Sequence, residues 1–359
     1  MAMMSYSLPG CALAFGSNKF EEKYRHSPNY YNGKFQNLIK TSEGPKPGTS
    51  LSMISEVVFG QEEREPTFEL PVNQLNSSFF NSSPAKGLRA IWIGHSSMLI
   101  EIDGRWILTD PVWSDRILPV SYINFAGPKR FHKPPIQIDS LPKLDAVLIS
   151  HDHYDHLDKA TILALAKRDT KFFVPLGTGE YLKGWGIPSK RIIEMDWWDS
   201  NTLGGDDFTI MATPARHYSG RFFSSSPTLW TSWAILGPHH RVFFSGDTGM
   251  LPAFDDIGKK YGPFDLTMIE IGAYHENLDD IHVGPVQAID VHQSLRGKML
   301  LPIHWGTFNL GIHAWTDPIE KMIKTAIKNS VNFVAPMPGQ PVYPDKSLDL
   351  NKWWVKSMS

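Results

Sequence analysis

Residues 151–156 read His-Asp-His-Tyr-Asp-His and place three imidazoles and two carboxylates within six positions. Packing alone gives no reason to gather so many polar groups, since each would need a partner once buried. An alternating pair such as His151 and His153 can grip one cation while Asp155 and His156 turn towards a second, so two adjacent metals account for the pattern. Three later residues can complete such a pair of sites. His217 follows TIMATPAR, Asp247 ends VFFSGD and His304 ends MLLPIH. Taken singly, each would serve equally well as a turn or surface residue. Together they give a full set: His151, His153 and His217 for a first metal, Asp155, His156 and His304 for a second, and Asp247 with one oxygen to each. Imidazole and carboxylate without soft sulfur favour two Zn²⁺, with Fe or Mn also compatible with these ligand types. Two such ions can lower the pKa of a shared water from about 15.7 towards about 7, giving a hydroxide nucleophile at neutral pH.

Ligands so far apart in sequence need rigid elements to bring them together. The run LDAVLIS (144–150) predicts a buried strand before the loop, and DKATILALAKR (158–168) has helical spacing after it, so the loop joins a strand to a helix. LRAIWIG, SSMLIEI and RWILTDP (88–111) predict three strands, the last two joined by a turn at Asp103-Gly104. His95 falls in the turn between the first two, and Asp110 closes the third; either could be a plain turn residue. Further strands are expected at 171–175, 208–214, 232–236 and 241–246. Gly284-Pro285 opens a helix, and Asp317-Pro318-Ile319-Glu320 resembles a capping box before another. A mixed α/β architecture follows, with candidate ligands at strand ends.

The remaining composition narrows the function. Hydrophobic residues make up 42% of the chain, enough for a sizeable core, and no apolar run reaches the length of a membrane span. Lys plus Arg number 35 against 37 Asp plus Glu, so no bulk charge favours nucleic acid as a partner. Cys11 is the only cysteine, which excludes an intrachain disulfide and a thiolate ligand. Residues 1–84, rich in Ser, Asn, Gly and Pro, predict an extended arm ahead of a catalytic domain at 85–345 and a short tail at 346–359. Leu8-Pro9-Gly10-Cys11 resembles a lipoprotein cleavage box but lacks a basic and an apolar region before it. A cytoplasmic location is the default; membrane association or export would follow if that box were an atypical signal. His132 is expected to be solvated, and His239-His240 to form a hairpin turn. Trp197, Trp198, Tyr218, Phe222, Phe223 and Trp230 read first as core and second as walls of an apolar acyl pocket.

The loop H-x-H-x-D-H with its later His, Asp and His resembles the metallo-β-lactamase superfamily, which implies a four-layer αββα sandwich with the dinuclear site at one edge of two facing sheets. The nearer likeness is to the N-acylphosphatidylethanolamine-hydrolysing phospholipase D group and its bacterial relatives. It is carried by IWIGHSS (91–97), ILTDPVWS (107–114), GPKRF (127–131), AVLISHDHYDHLD (146–158), FSGDTG (244–249), IGAY (271–274), HVGP (282–285) and PIHWGTF (302–308). SPNYYNGKFQN (27–37) also looks like the arm preceding the domain in bacterial members. This resemblance implies that Asp110 lies beneath the metal loop, with His95 in a similar supporting place, and that His282 orients the phosphate or protonates the leaving oxygen. Asp155 and His282 are the expected catalytic residues, and Tyr154, Tyr218 and His282 the expected substrate contacts.

A zinc-dependent phosphodiesterase acting on a lipid or other glycerophosphodiester is therefore expected, with peripheral membrane contact and a homodimer compatible with it. One departure favours a lactonase or other hydrolase of a phosphorylated small molecule instead. After IGAY the phospholipase group has an apolar, aromatic segment, whereas residues 275–280 here are His-Glu-Asn-Leu-Asp-Asp, an acidic rim ill suited to anionic bilayers. A metal-stabilised binding protein without turnover is the alternative from another class.

Overall fold

The computed structural model describes residues 18–42, 44, 46, 48–82, 87–117, 127–204, 207–221, 226–346 and 348–356. The Leu8 to Cys11 box, Phe222 and Phe223 lie outside the described residues. The arm carries helix α1 (Asn18–Tyr24), a two-stranded ribbon of β1 (Tyr30–Tyr31) and β2 (Lys34–Phe35), and helix α2 (Ser50–Phe59).

The first sheet begins with an antiparallel meander, β3 (Leu88–Gly94), β4 (Ser97–Ile102) and β5 (Arg105–Thr109). It continues in parallel through β6 (Ala146–Leu148), β7 (Lys171–Pro175) and β8 (Ile192–Met195), with helices α3 (Lys159–Leu165) and α4 (Thr178–Gly184) as crossovers. The second sheet is antiparallel from β9 (Ser200–Thr202) through β10 (Thr209–Thr213) and β11 (Ser232–Leu236) to β12 (Arg241–Phe244). It then runs parallel through β13 (Leu266–Glu270) and β14 (Leu300–Ile303), linked by helices α5 (Ala253–Tyr261) and α6 (Gly284–Ser294). Helix α7 (Asp317–Lys328) packs on α6, and β15 (Pro341–Val342) returns to the edge of β3.

Strand alternation explains the layering. Ala90 and Trp92 of β3 join a core shared with Trp233 and Phe244 of the second sheet, whereas Ile91 and Ile93 point the other way, onto Leu157, Ile162 of α3 and Leu182 of α4. Both faces of β3 are thus buried, which is why residues 90–94 read as an unbroken apolar run, and Arg89 before them is buried only by pairing with Glu101. Residues of α5, α6 and α7 join the shared core from the far side of the second sheet, giving four layers in the order helix, sheet, sheet, helix.

Two expectations change. Residues 317–320 form no capping box: α7 starts at Asp317, Thr316 makes no side-chain cap bond, and the Asp317 carboxylate is taken by Tyr274 and Lys321. His132 is buried rather than solvated: its Nε2 meets Thr307 Oγ1 at 3.3 Å behind the turn that carries His95. Trp197 and Trp230 are core, as their first reading had it: they close a cluster with Phe20, Tyr24, Tyr30 and Phe35, through which the arm docks. His239 and His240 do form a hairpin turn, closed by a bond from Gly237 N to His240 O and capped by the Asp103 carboxylate.

Candidate metal centre

The ends of β5, β6, β12, β13 and β14 meet at one pole of the two sheets, which assembles residues scattered over the sequence. Asp110 follows β5, the six-residue loop follows β6, Asp247 follows β12, Glu270 ends β13 and His304 follows β14. His95 lies in the β3–β4 turn, and His217 lies beyond the end of β10. His95, Asp110 and His304 all have left-handed backbones, with φ of 53°, 35° and 63°. Strain of this kind in non-glycine residues persists only where packing over-determines it. Gly246, with φ of 57°, permits the approach of Asp247: a Cβ there would lie 2.5 Å from that of Ser150.

The predicted ligands converge as two groups around one carboxylate. His151 Nε2 lies 2.9 Å from His153 Nδ1, which lies 3.3 Å from His217 Nε2. On the other side Asp155 Oδ2 is 3.3 Å from His156 Nε2 and 3.5 Å from His304 Nε2. Asp247 Oδ2 stands between them, 3.2 Å from His156, 3.1 Å from His304, 3.9 Å from His151 and 3.8 Å from His217.

The partners of the outer ring nitrogens decide what these inner atoms can do. Asp110 accepts from His156 Nδ1 at 2.7 Å and from Ser150 Oγ at 2.5 Å. Having donated to Asp110, that hydroxyl is left to accept from His151 Nδ1 at 2.9 Å. His217 Nδ1 donates to Ile281 O at 3.0 Å. Each of these three rings therefore has its first proton on the outer nitrogen and, when neutral, turns a bare lone pair inward. Bare nitrogens 3 Å apart repel unless a cation or proton lies among them, and two rings of the first group already carry their proton elsewhere. His156 Nε2, His304 Nε2 and Asp247 Oδ1 are buried without a hydrogen-bond partner. Buried orphans of this kind are costly, and together they fit a metal pair.

The electrostatics point the same way. Burial, followed by the neighbouring imidazoles, holds His151 well below its ordinary range, and burial outweighs Asp247 in doing the same to His217. Burial opposes charge on His156 and His304 too, but Asp247 and Asp155 overcome it and lift both. Asp155 and Asp247 are held well below the carboxylate range against burial, chiefly by His156.

Around this centre, His95 Nε2 meets Asp155 Oδ2 at 2.9 Å, and its ring lies 4.1 Å from that of His304. Tyr218 packs edge-on against His153 at 4.7 Å between ring centroids, so it borders the site. The Tyr154 ring takes the Arg221 guanidinium at 3.8 Å, and Arg221 donates to Asp152 O and Leu157 O, so the pair braces the loop. His282 reaches the centre's edge, its ring 5.4 Å from His304 and 5.2 Å from His217.

Glu270 escaped the sequence reading. Its Oε2 accepts from His282 Nδ1 at 2.7 Å and its Oε1 from Thr248 N, and it is wholly buried. Burial lifts its carboxyl above the usual range; His282 pulls it back, while Asp247 adds to the rise. A lone carboxylate closing the apolar strand LTMIE was the available signal. The expected acidic rim stays partly exposed, but the arm crosses it and pairs with it. Lys46 Nζ pairs with Asp279 at 2.7 Å, Arg216 with Asp280 at 2.5 Å, and His275 faces Glu56 at 3.1 Å.

A family model described as a beta-lactamase superfamily domain matches residues 105–305. An uncharacterized protein of Mycobacterium tuberculosis is 44% identical over 97% of this chain and 93% of its own. N-acyl-phosphatidylethanolamine-hydrolyzing phospholipase D 1 of Caenorhabditis elegans is 37% identical over 81% of this chain and 86% of its own. Among solved structures, Igni18, a metallo hydrolase from Ignicoccus hospitalis, matches with a TM-score of 0.52 at 24% identity, covering 71% of this chain and 97% of its own.

Proposed function

This metal-dependent hydrolase belongs to the metallo-β-lactamase superfamily, and on that footing we propose that it is a dinuclear zinc phosphodiesterase of phospholipase D type, cleaving N-acylphosphatidylethanolamine or a related glycerophosphodiester. His151, His153 and His217 would hold one ion, Asp155, His156 and His304 the other, and Asp247 both. Two zinc ions, when bound, acidify water and polarise the phosphoryl group.

The protein's own groups supply the rest. Asp110 and Ser150 fix the ring orientation of His156 and His151, and His95 holds Asp155 in place. Hydrolysis adds a water oxygen to phosphorus and breaks the bond to the leaving alkoxide, which must take a proton. His282 is the donor: Glu270 holds its Nδ1, Nε2 is the ring's remaining nitrogen, and the side chain is 12% exposed. The ring of Tyr218, beside His153 and His217, helps to orient the diester.

The observation that carries the phosphodiester reading is this carboxylate-held imidazole at the edge of a two-metal ligand set. It supplies the leaving-group proton that cleavage of an alkyl phosphate requires. The lactonase alternative drew on an acidic rim, and the pairing of Asp279 with Lys46 and of Asp280 with Arg216 weakens that support. The diester is met at a membrane surface; among the described residues no helix is long and apolar enough to cross one.

Zinc-loaded protein should release phosphatidic acid from N-acylphosphatidylethanolamine, read by mass spectrometry, and Asp247→Ala should release none. Wild-type protein holding zinc but inert on this lipid would overturn the lipid assignment.

A further inference from the structure

We propose that Asn37, in the N-terminal arm, is a positioning residue for His217, so that the arm is part of the metal centre. The proposal rests on the reading of His217 as a ligand and concerns what holds it there. Most other members of the set follow directly from a strand or turn of the two sheets, but His217 lies beyond the end of β10, in residues 214–221, which have no regular structure. Its backbone N–H and C=O therefore have no strand to pair with. Asn37 supplies both partners. Its Nδ2 donates to His217 O at 2.7 Å, and its Oδ1 accepts from His217 N at 3.0 Å, as a neighbouring strand would.

The clamp is itself held from below and from the side. Trp230, fully buried under the arm, donates from Nε1 to Asn37 Oδ1 at 3.1 Å and to Ala215 O at 3.1 Å. Residue 216 is tied to the same stretch: Arg216 Nε donates to Thr41 Oγ1 at 3.1 Å and Nη2 to Lys40 O at 3.0 Å. Arg216 also bonds Asp280 at 2.5 Å, whose other oxygen accepts from Ser42 N at 3.1 Å. Just beyond, Ile281 O accepts from His217 Nδ1 at 3.0 Å, so backbone and ring of His217 are fixed through one connected unit. Residues 37–42 thus join the loop of His217 to the loop that leads into His282.

An asparagine that merely anchored the arm would matter to stability alone, whereas a positioning asparagine changes metal affinity. Partners that orient a ligand typically change metal affinity about 10- to 100-fold when removed. The experiment titrates full-length protein with zinc against a chromophoric chelator, alongside the melting temperature of the zinc-free forms. In Asn37→Ala one of about two ions should bind about 10- to 100-fold more weakly while the other is retained. Asn37→Asp should weaken the same ion, since it keeps the shape but turns an oxygen against His217 O. It carries the test alone if Asn37→Ala is recovered unfolded. Asn29→Ala is the control, because it removes a 2.7 Å bond from the same arm to Asp196, away from the centre. It should lower the melting temperature and leave both ions at wild-type affinity. Wild-type affinity in both Asn37 variants, or equal weakening in Asn29→Ala, overturns the inference alone. Wild-type protein that takes up no zinc overturns the metal reading itself and the inference with it.

Discussion

Replacing Glu270 with Gln separates proton donation by His282 from simple support of the loop. The substitution keeps the size of a wholly buried side chain and removes its charge. It leaves one of two donors, His282 Nδ1 or Thr248 N, facing an amide NH₂ instead of an oxygen. A hydrogen bond to a charged group is worth about 1.5–3 kcal/mol against about 1 kcal/mol for a neutral one, so roughly 0.5–2 kcal/mol is lost. If that bond stabilises a ring that gives up its proton in the transition state, kcat falls about two- to thirtyfold. Removing the ring with His282→Ala should cost about 10²- to 10⁴-fold. The assay compares two esters on zinc-loaded protein. An alkyl phosphodiester has a poor leaving group that must be protonated, whereas a nitrophenyl phosphodiester releases a stable phenolate without help. Both variants should lose kcat on the alkyl ester and little on the aryl ester. Equal losses on the two esters would refute proton donation and leave the pair a structural support.

Other expectations follow from the same geometry. Asp110→Asn disturbs the bonds that orient both His156 and His151, so zinc affinity should fall about 10- to 100-fold; chelator competition measures it, and unchanged affinity would count against the tautomer argument. Zinc removal should destabilise the fold, since a ligand at 100 times its Kd contributes about 2.7 kcal/mol; scanning calorimetry with and without chelator reads the shift, and coincident melting curves would show that the cluster binds no metal. Stability of the zinc-free protein should fall as pH drops below about 6.5, because burial pushes His132 down to about 3 and His292 to about 4. The unfolded chain binds those protons first, so the stabilisation is present above the unfolded pKa and lost towards the folded one. Melting temperatures between these limits should decline less steeply in His292→Gln, and an identical slope would refute the assignment.

The fold and the candidate ligand cluster were legible because both depend on short-range pattern. Apolar runs such as 146–148 and 300–303 end just before candidate ligands, and a sheet edge needs no further information to gather its loops. What escaped was the pairing of ordinary residues outside the strand ladders. Asn37 looked like loop composition, and its partner His217 lies 180 positions away. Glu270 looked like the end of a strand, and nothing local reveals that His282, beyond the next loop, will turn its Nδ1 onto that carboxylate. Exposure was misjudged for the same reason. His132 stands in a run with Lys and Pro that reads as solvated, yet Arg130 beside it is buried and donates to the carbonyls of Ile93 and Val112.

These misses share a physical cause that bears on how the centre works. A metal pair needs ligand positions fixed to fractions of an ångström; strand ends place Asp247, His304 and the loop after β6, and Asp110, Ser150 and His95 orient that loop's side chains. Two groups, His217 and His282, stand on irregular chain and must be fixed by side chains instead. Asn37 and the Arg216–Asp280 pair serve the first, and Glu270 serves the second. Both lie on the side of the centre met by residues 37–42 and Lys46, where the arm crosses the 275–280 segment. The rigid half of the site is therefore written into the sheets. The other half depends on polar side-chain contacts that no strand supplies, from 12 positions apart for Glu270 and His282 to 180 for Asn37 and His217.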